Sequence, residues 1–178
     1  MVDEKKVNQV VDPGKEVSAR PTPAPGPGFE LPLLLFAGFR TLIDALHTEL
    51  ADRGHPDSRP AYGFALQAIG PDGASASEIG RRLGISKQAA GKTVDRLIAL
   101  DYAERTDDPA DARRKLIRRT PRGNEMLRLS AEIFDRLQAD WTRTLGEDRL
   151  RALTEDLRTV VPARTALRLD AAAWMGGP

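Results

Sequence analysis

Ser75-Ala76-Ser77-Glu78-Ile79-Gly80-Arg81-Arg82-Leu83-Gly84-Ile85-Ser86-Lys87-Gln88 is the stretch on which the fold turns. Ser75 and Glu78 have the spacing of a capping box. The serine hydroxyl accepts from the third helical amide, and the glutamate there reaches back to the serine amide. The short helix so begun is predicted to end at Gly84, which lacks a Cβ and suits a left-handed C-terminal cap. Ser86 then caps a second helix, predicted from Lys87 to about Leu100. Two helices joined by a three- or four-residue turn containing glycine make a helix-turn-helix.

Downstream of Asp101 the period changes to two. Tyr102–Thr106 and Leu116–Thr120 are predicted as short strands around a polar turn, Asp107–Lys115. Thr120-Pro121 has the form of a cap followed by a first-turn proline, so a helix restarts there. Met126, Ile133, Leu137, Trp141 and Leu145 form its apolar stripe, and Gly146 breaks it. Leu150, Leu153, Leu157 and Val160 mark a last helix, bent or interrupted near Pro162. Upstream, Gly70-Pro71-Asp72-Gly73 is a turn that follows a helix from about Pro60 to Ile69. Before that, Leu35, Phe36, Phe39, Leu42, Ile43, Leu46 and Leu50 hold the 3-and-4 spacing of one helical face, closed by Gly54-His55-Pro56. Residues 1–28 alternate proline and glycine after Arg20 and have few bulky apolar groups, so a flexible tail is expected there. The fold class is mainly α with a small β-hairpin.

The 178 residues contain no cysteine, which excludes disulfides, thiolate switches and Cys-ligated metal. With a mean hydropathy of −0.41 the chain reads as globular. No unbroken apolar run is longer than that of Leu33–Ala37, which is far too short to span a bilayer. Lys5 and Lys6 are not followed by an apolar segment, so no secretory signal is read and a cytoplasmic protein without membrane contact is expected. The net charge of +1 hides an asymmetry. Residues 81–122 hold twelve Lys/Arg against six Asp/Glu, a balance of +6, while the remainder carries −5. That middle segment is either a polyanion-binding face or an ordinary solvated surface.

Steps of 100° along the helix from Lys87 place Ala90, Val94, Leu97, Ile98 and Leu100 on the core side. Gln88, Gly91, Lys92, Asp95 and Arg96 fall on or near the opposite side. That outer face suits a major groove: glutamine pairs with an adenine edge, and lysine reaches guanine or phosphate. Gly91 permits close backbone approach, and Ser86 at the helix N-terminus can hold a phosphate. At the hairpin tip, Arg113, Arg114 and Lys115 are three adjacent cations suited to a narrow minor groove. Asp111 stands two residues before Arg113 and can fix its guanidinium. Ala90-Gly91-Lys92-Thr93 imitates the end of a phosphate-binding P-loop, but Ser86 stands where that motif needs glycine and no strand precedes it.

Taken as a set, Ser77–Gln88, Thr93–Leu97, Asp108–Lys115 and Leu116–Gly123 resemble the MarR (multiple antibiotic resistance regulator) family of winged helix-turn-helix transcription factors. The resemblance covers about residues 31–168, including a D-x-R wing followed by T-x-x-G. It implies a homodimer that binds double-stranded DNA, with recognition helices in major grooves and wing arginines in minor grooves. It implies an N-terminal dimerisation helix at 29–54, a winged DNA-binding domain at 55–122, C-terminal dimerisation helices at 123–172 and a tail at 173–178. Gln88 and Lys92 would take the first role and Arg113 the second; Ser86, Lys87, Arg96, Arg114 and Lys115 are further candidate DNA contacts, with Asp111 orienting the wing. Members typically repress promoters and release DNA when a small molecule binds. Phe39, His47, Tyr62, Phe64 and Trp141 are candidate lining for such an effector pocket, though each reads equally as core or interface. His47 and His55 are the only histidines, so no metal site or cofactor is expected. The alternatives are an architectural DNA-binding protein without an effector, and an enzyme, for which no nucleophile or metal set appears.

Overall fold

Among the described residues eight elements follow one another: α1 (Glu30–Asp52), α2 (Pro60–Ile69), α3 (Ala76–Leu83), α4 (Lys87–Ala99), β1 (Ala103–Asp108), β2 (Asp111–Arg119), α5 (Pro121–Leu145) and α6 (Glu147–Val160). The computed structural model describes residues 26–108 and 111–161, apart from the side chains of 111–114. The expected tail falls almost wholly outside the described residues, as does everything after Val161.

The caps form as their spacing predicts. Glu78 N donates to Ser75 Oγ at 3.3 Å, and Ser75 N donates to Glu78 Oε2 at 2.8 Å. Gly84 ends α3 in the left-handed region at φ 73°. Ser86 Oγ accepts from Ala89 N at 3.1 Å, and Thr120 Oγ1 from Gly123 N at 3.1 Å. Each bond satisfies a helix-end amide that has no partner within the helix.

The hairpin is longer than its composition predicts. Thr106 pairs with Leu116 and Asp107 with Lys115, so most of the expected polar turn is strand. Cross-strand pairing of opposite charges favours this register, with Asp107 and Lys115 ion-paired. A hairpin that projects from the core needs no apolar alternation at its outer end. Its inner end is anchored by a third, one-residue strand: Ala74 and Ile117 exchange amide bonds at 3.0 and 2.9 Å.

The core gathers Leu50 from α1, Leu66 and Ile69 from α2, Ile79 from α3, Leu97 from α4, and Met126 and Ile133 from α5, all buried. The α5 stripe is shifted from the periodic reading. Met126, Leu129 and Ile133 are buried, whereas Leu137, Trp141 and Leu145 are only half-buried. In α1 only Ile43, Leu46 and Leu50 are buried, while Leu31, Leu33 and Leu34 are each 60% exposed or more. No described residue of α6 is buried. The 23 residues of α1 are, by length and composition, enough to cross a bilayer, which the short run Leu33–Ala37 did not indicate. Its C-terminal half nevertheless packs Ile43, Leu46 and Leu50 into this core.

Gly123 is fixed by sterics rather than conformation. A Cβ there would lie 2.1 Å from the Tyr102 carbonyl oxygen, a backbone atom that cannot swing away. Gly123→Ala is therefore expected to lower stability by about 2–3 kcal/mol, read as a fall of roughly 5–10 °C in the calorimetric Tm.

Candidate nucleic-acid interface

The turn between α3 and α4 is tight because Gly80 allows it. A Cβ on Gly80 would stand 3.0 Å from Ile85 O and 3.4 Å from Ala90 Cβ. With α3 close beneath, α4 buries Ala90, Thr93, Val94 and Leu97. Thr93 was not placed in the core by the apolar pattern. Its hydroxyl donates to Ala89 O at 3.2 Å, which satisfies it inside the helix.

On the opposite side, Ser86, Lys87, Gln88, Lys92, Asp95 and Arg96 are exposed and Gly91 is half-exposed. The structure thus brings five of the sequence-predicted contacts, Ser86, Lys87, Gln88, Lys92 and Arg96, onto one helix. Of the neighbouring pair Arg81-Arg82, both exposed, Arg82 reaches back to α2. It donates to Ala68 O at 2.6 Å and so caps the end of α2.

The hairpin is tied to this helix by an ion pair that sequence reading missed: Arg105 of β1 to Asp95 of α4. The two residues are ten apart in sequence and belong to different elements, so no local pattern announces them. An exposed pair adds little stability, of order 0–1 kcal/mol, and its consequence is orientation. Lys115 is exposed and paired with Asp107. The backbones of Asp111, Arg113 and Arg114 lie in β2, and their side chains lie outside the described residues.

A separate cavity of about 220 Å³ opens between α1, α2 and α5. Phe39, His47 and Phe64 line it, together with Arg59, Gln67 and Phe134. Burial holds the His47 imidazole below its usual value, partly opposed by Asp44. Tyr62 and Trp141 do not line it. Tyr62 is buried in the core, and Trp141 packs beside Gly38 in a neighbouring groove with Leu42 and Leu150. Among the described residues no three or more His, Asp or Glu are grouped to hold a metal ion.

Residues 60–114, from the start of α2 into β2, match the model of the MarR family. A crystal structure of MarR is similar at 26% identity, with a TM-score of 0.60 over 79% of this chain and 99% of that one. Residues 60–114 thus carry a MarR-family segment, and the chain has the winged-helix fold. A transcriptional regulator from Thermotoga maritima is similar at 25% identity and a TM-score of 0.52, over 73% of this chain and 90% of that one. A mutant MarR from E. coli, solved in complex with operator DNA, shares the fold at 22% identity and a TM-score of 0.59, over 74% of this chain and 94% of that one. No curated protein matches the chain. In this winged-helix fold α4 is the second helix of the helix-turn-helix, and β1–β2 is the wing.

Gly91 is the odd residue on α4. Glycine in a helix interior costs about 1 kcal/mol relative to alanine, and a Cβ at this position would meet nothing within 4 Å. Gly91→Ala should therefore raise the urea-unfolding free energy by roughly 0.5–1 kcal/mol without altering the circular dichroism spectrum.

Proposed function

We propose that this chain is a member of the MarR family and a sequence-specific DNA-binding transcriptional regulator. We read it as a homodimeric repressor that a small molecule releases from a palindromic operator. The observation that carries the reading is the exposed face of α4, where Ser86, Gln88, Lys92 and Arg96 stand together beside a wing tied to the same helix by Arg105 and Asp95. Glutamine can read a base edge, and the cations can meet phosphates or guanine. The solution of a MarR structure on operator DNA supports this assignment. So does the strongly basic balance of residues 81–122. Such a role belongs to the cytoplasm, where the DNA is, and to a binding protein rather than an enzyme.

The dimer reading rests on apolar surface. Phe29, Leu31, Leu33 and Leu34 are exposed at the start of α1, and α6 buries none of its described residues within the chain. Covering each such side chain contributes about 1.5–3 kcal/mol, and a second copy presenting the same two helices can cover them reciprocally. Sedimentation is expected to show a dimer at micromolar concentration, and a stable folded monomer would overturn this part of the reading. The effector reading rests on the cavity that Phe39, His47 and Phe64 share with Arg59 and Gln67. It has apolar walls with a few polar groups, the usual make-up of a small-molecule site.

Two substitutions separate base reading from phosphate contact. Gln88→Ala should cost roughly 1–3 kcal/mol per half-site on the operator and little on scrambled duplex. Arg113→Ala should weaken binding to both duplexes and flatten the salt dependence by about one ion per half-site. Salt titrations on both duplexes check this. Equal losses on the two duplexes for Gln88→Ala would remove its base-reading role, and an unchanged slope for Arg113→Ala would take the wing off the DNA.

A further inference from the structure

One of the two histidines sits where three elements meet. His55 lies in the loop after α1, yet it is only 1% exposed. Its Nδ1 is 3.0 Å from the Tyr102 hydroxyl, and the two rings stack with centroids 5.6 Å apart. Tyr102 is equally buried and forms the root of the wing. Its amide donates to Leu97 O of α4 at 2.8 Å, and its carbonyl accepts from Thr120 N, at the wing's exit, at 3.2 Å. From α5, Arg122 lies over the Tyr102 ring at 5.4 Å and donates to Gly54 O at 2.7 Å. Glu125 of α5 places Oε2 3.8 Å from His55 Nε2. Asp57 in the loop and Tyr62 of α2 are the remaining titratable groups that act on the phenol. The end of α1, the root of the wing and the start of α5 thus meet on one imidazole–phenol pair.

A neutral imidazole offers one acceptor nitrogen and one N–H. With the Tyr102 O–H donating to Nδ1, the Nε2–H faces the Glu125 carboxylate at 3.8 Å, longer than a hydrogen bond. A second proton makes both nitrogens donors, so the phenol must turn its own hydrogen elsewhere in a closed site. It also sets a cation beside Arg122. We propose that His55 is a positioning residue for DNA binding: its neutral ring locks the wing root to the α1–α5 junction, and proton uptake in mildly acid solution loosens the wing. The proposal rests on the DNA-binding reading above. Burial and Arg122 hold His55 below the ordinary histidine value, with Glu125 opposing in part, while burial pushes the Tyr102 phenol up, so it remains a neutral donor. Because the folded value lies below the unfolded one, the lock is at full strength above about pH 6.5 and is lost as pH falls below that.

The test uses the full chain and two probes: a duplex that the protein selects from a randomised pool at pH 7.5, and amide hydrogen exchange without DNA. Duplex affinity is expected to fall about five- to tenfold between pH 7.5 and 5.5, and exchange at the Tyr102 and Thr120 amides to accelerate over the same interval. His55→Asn carries its amide near the Nδ1 position. It should keep the neutral-pH affinity within about twofold and flatten the pH profile. Tyr102→Phe keeps the ring stack without the hydroxyl and should also flatten it. A wild-type pH profile in both His55→Asn and Tyr102→Phe overturns the proposal, as does pH-independent exchange at the two amides. Acid-accelerated exchange with unchanged duplex affinity overturns the link to DNA. Failure to select any duplex overturns the DNA-binding reading itself, and the exchange measurement then still decides whether the lock exists.

Discussion

Thr120 closes the root of the wing. Its hydroxyl donates to the Asp101 carbonyl at 2.6 Å and accepts from Gly123 N at 3.1 Å, while its amide donates to the Tyr102 carbonyl. One residue therefore joins the strand entering the wing to the strand leaving it, and starts α5 in the same place. Asp101 adopts φ 59°, a conformation that aspartate tolerates better than most residues, so that the chain can leave α4 and enter β1 at this point. Gly123 then lets α5 lie directly against the Tyr102 carbonyl. The position of the wing relative to α4 and α5 follows from these contacts more than from apolar packing of the hairpin, whose only buried residues in the described strands are Ala103 and Ile117.

The parts of the fold that were legible in the sequence are those governed by contacts three or four residues apart. The Ser75–Glu78 box, the Gly84 cap, Ser86, Thr120-Pro121 and Gly146 mark helix ends through chemistry local to each end, and the structure places helix ends at all of them. The hairpin was shortened because its outer pairs, Asp107 with Lys115 among them, are held by partners across the ladder and present no apolar alternation. Periodicity does not mark Leu129 in the α5 stripe or Thr93 in the α4 core, because burial is set by what packs opposite. A threonine that bonds its own helix carries no apolar signal.

The candidate site divides the same way. The outward face of α4 follows from helical geometry alone, so Gln88, Lys92 and Arg96 were placed together without any tertiary knowledge. The bond from Arg82 to the end of α2, the Arg105–Asp95 pair and the His55–Tyr102 contact span 10 to 47 residues and required the fold. The cavity residues stand between these cases. Phe39, His47 and Phe64 share a lining because α1 and α2 both face one cavity beside α5, whereas Tyr62, two residues before Phe64 on the same helix, turns about 200° away into the core.

Asp95 shows why these long-range pairs bear on the proposed function. It is an exposed carboxylate on the same side of α4 as Lys92 and Arg96, where an approaching phosphate chain would meet it. Left alone it would oppose an anion, since like charges at a few ångströms repel by about 1 kcal/mol in water and more where water is displaced. Arg105 answers that charge from the wing. The pair leaves no net charge at Asp95, keeps the surplus positive charge on Lys92 and Arg96, and uses the cancelled carboxylate to hold the hairpin beside the helix. A residue that is unfavourable on a helix proposed to face DNA is thereby neutralised by the wing, whose position the contacts at its root already set.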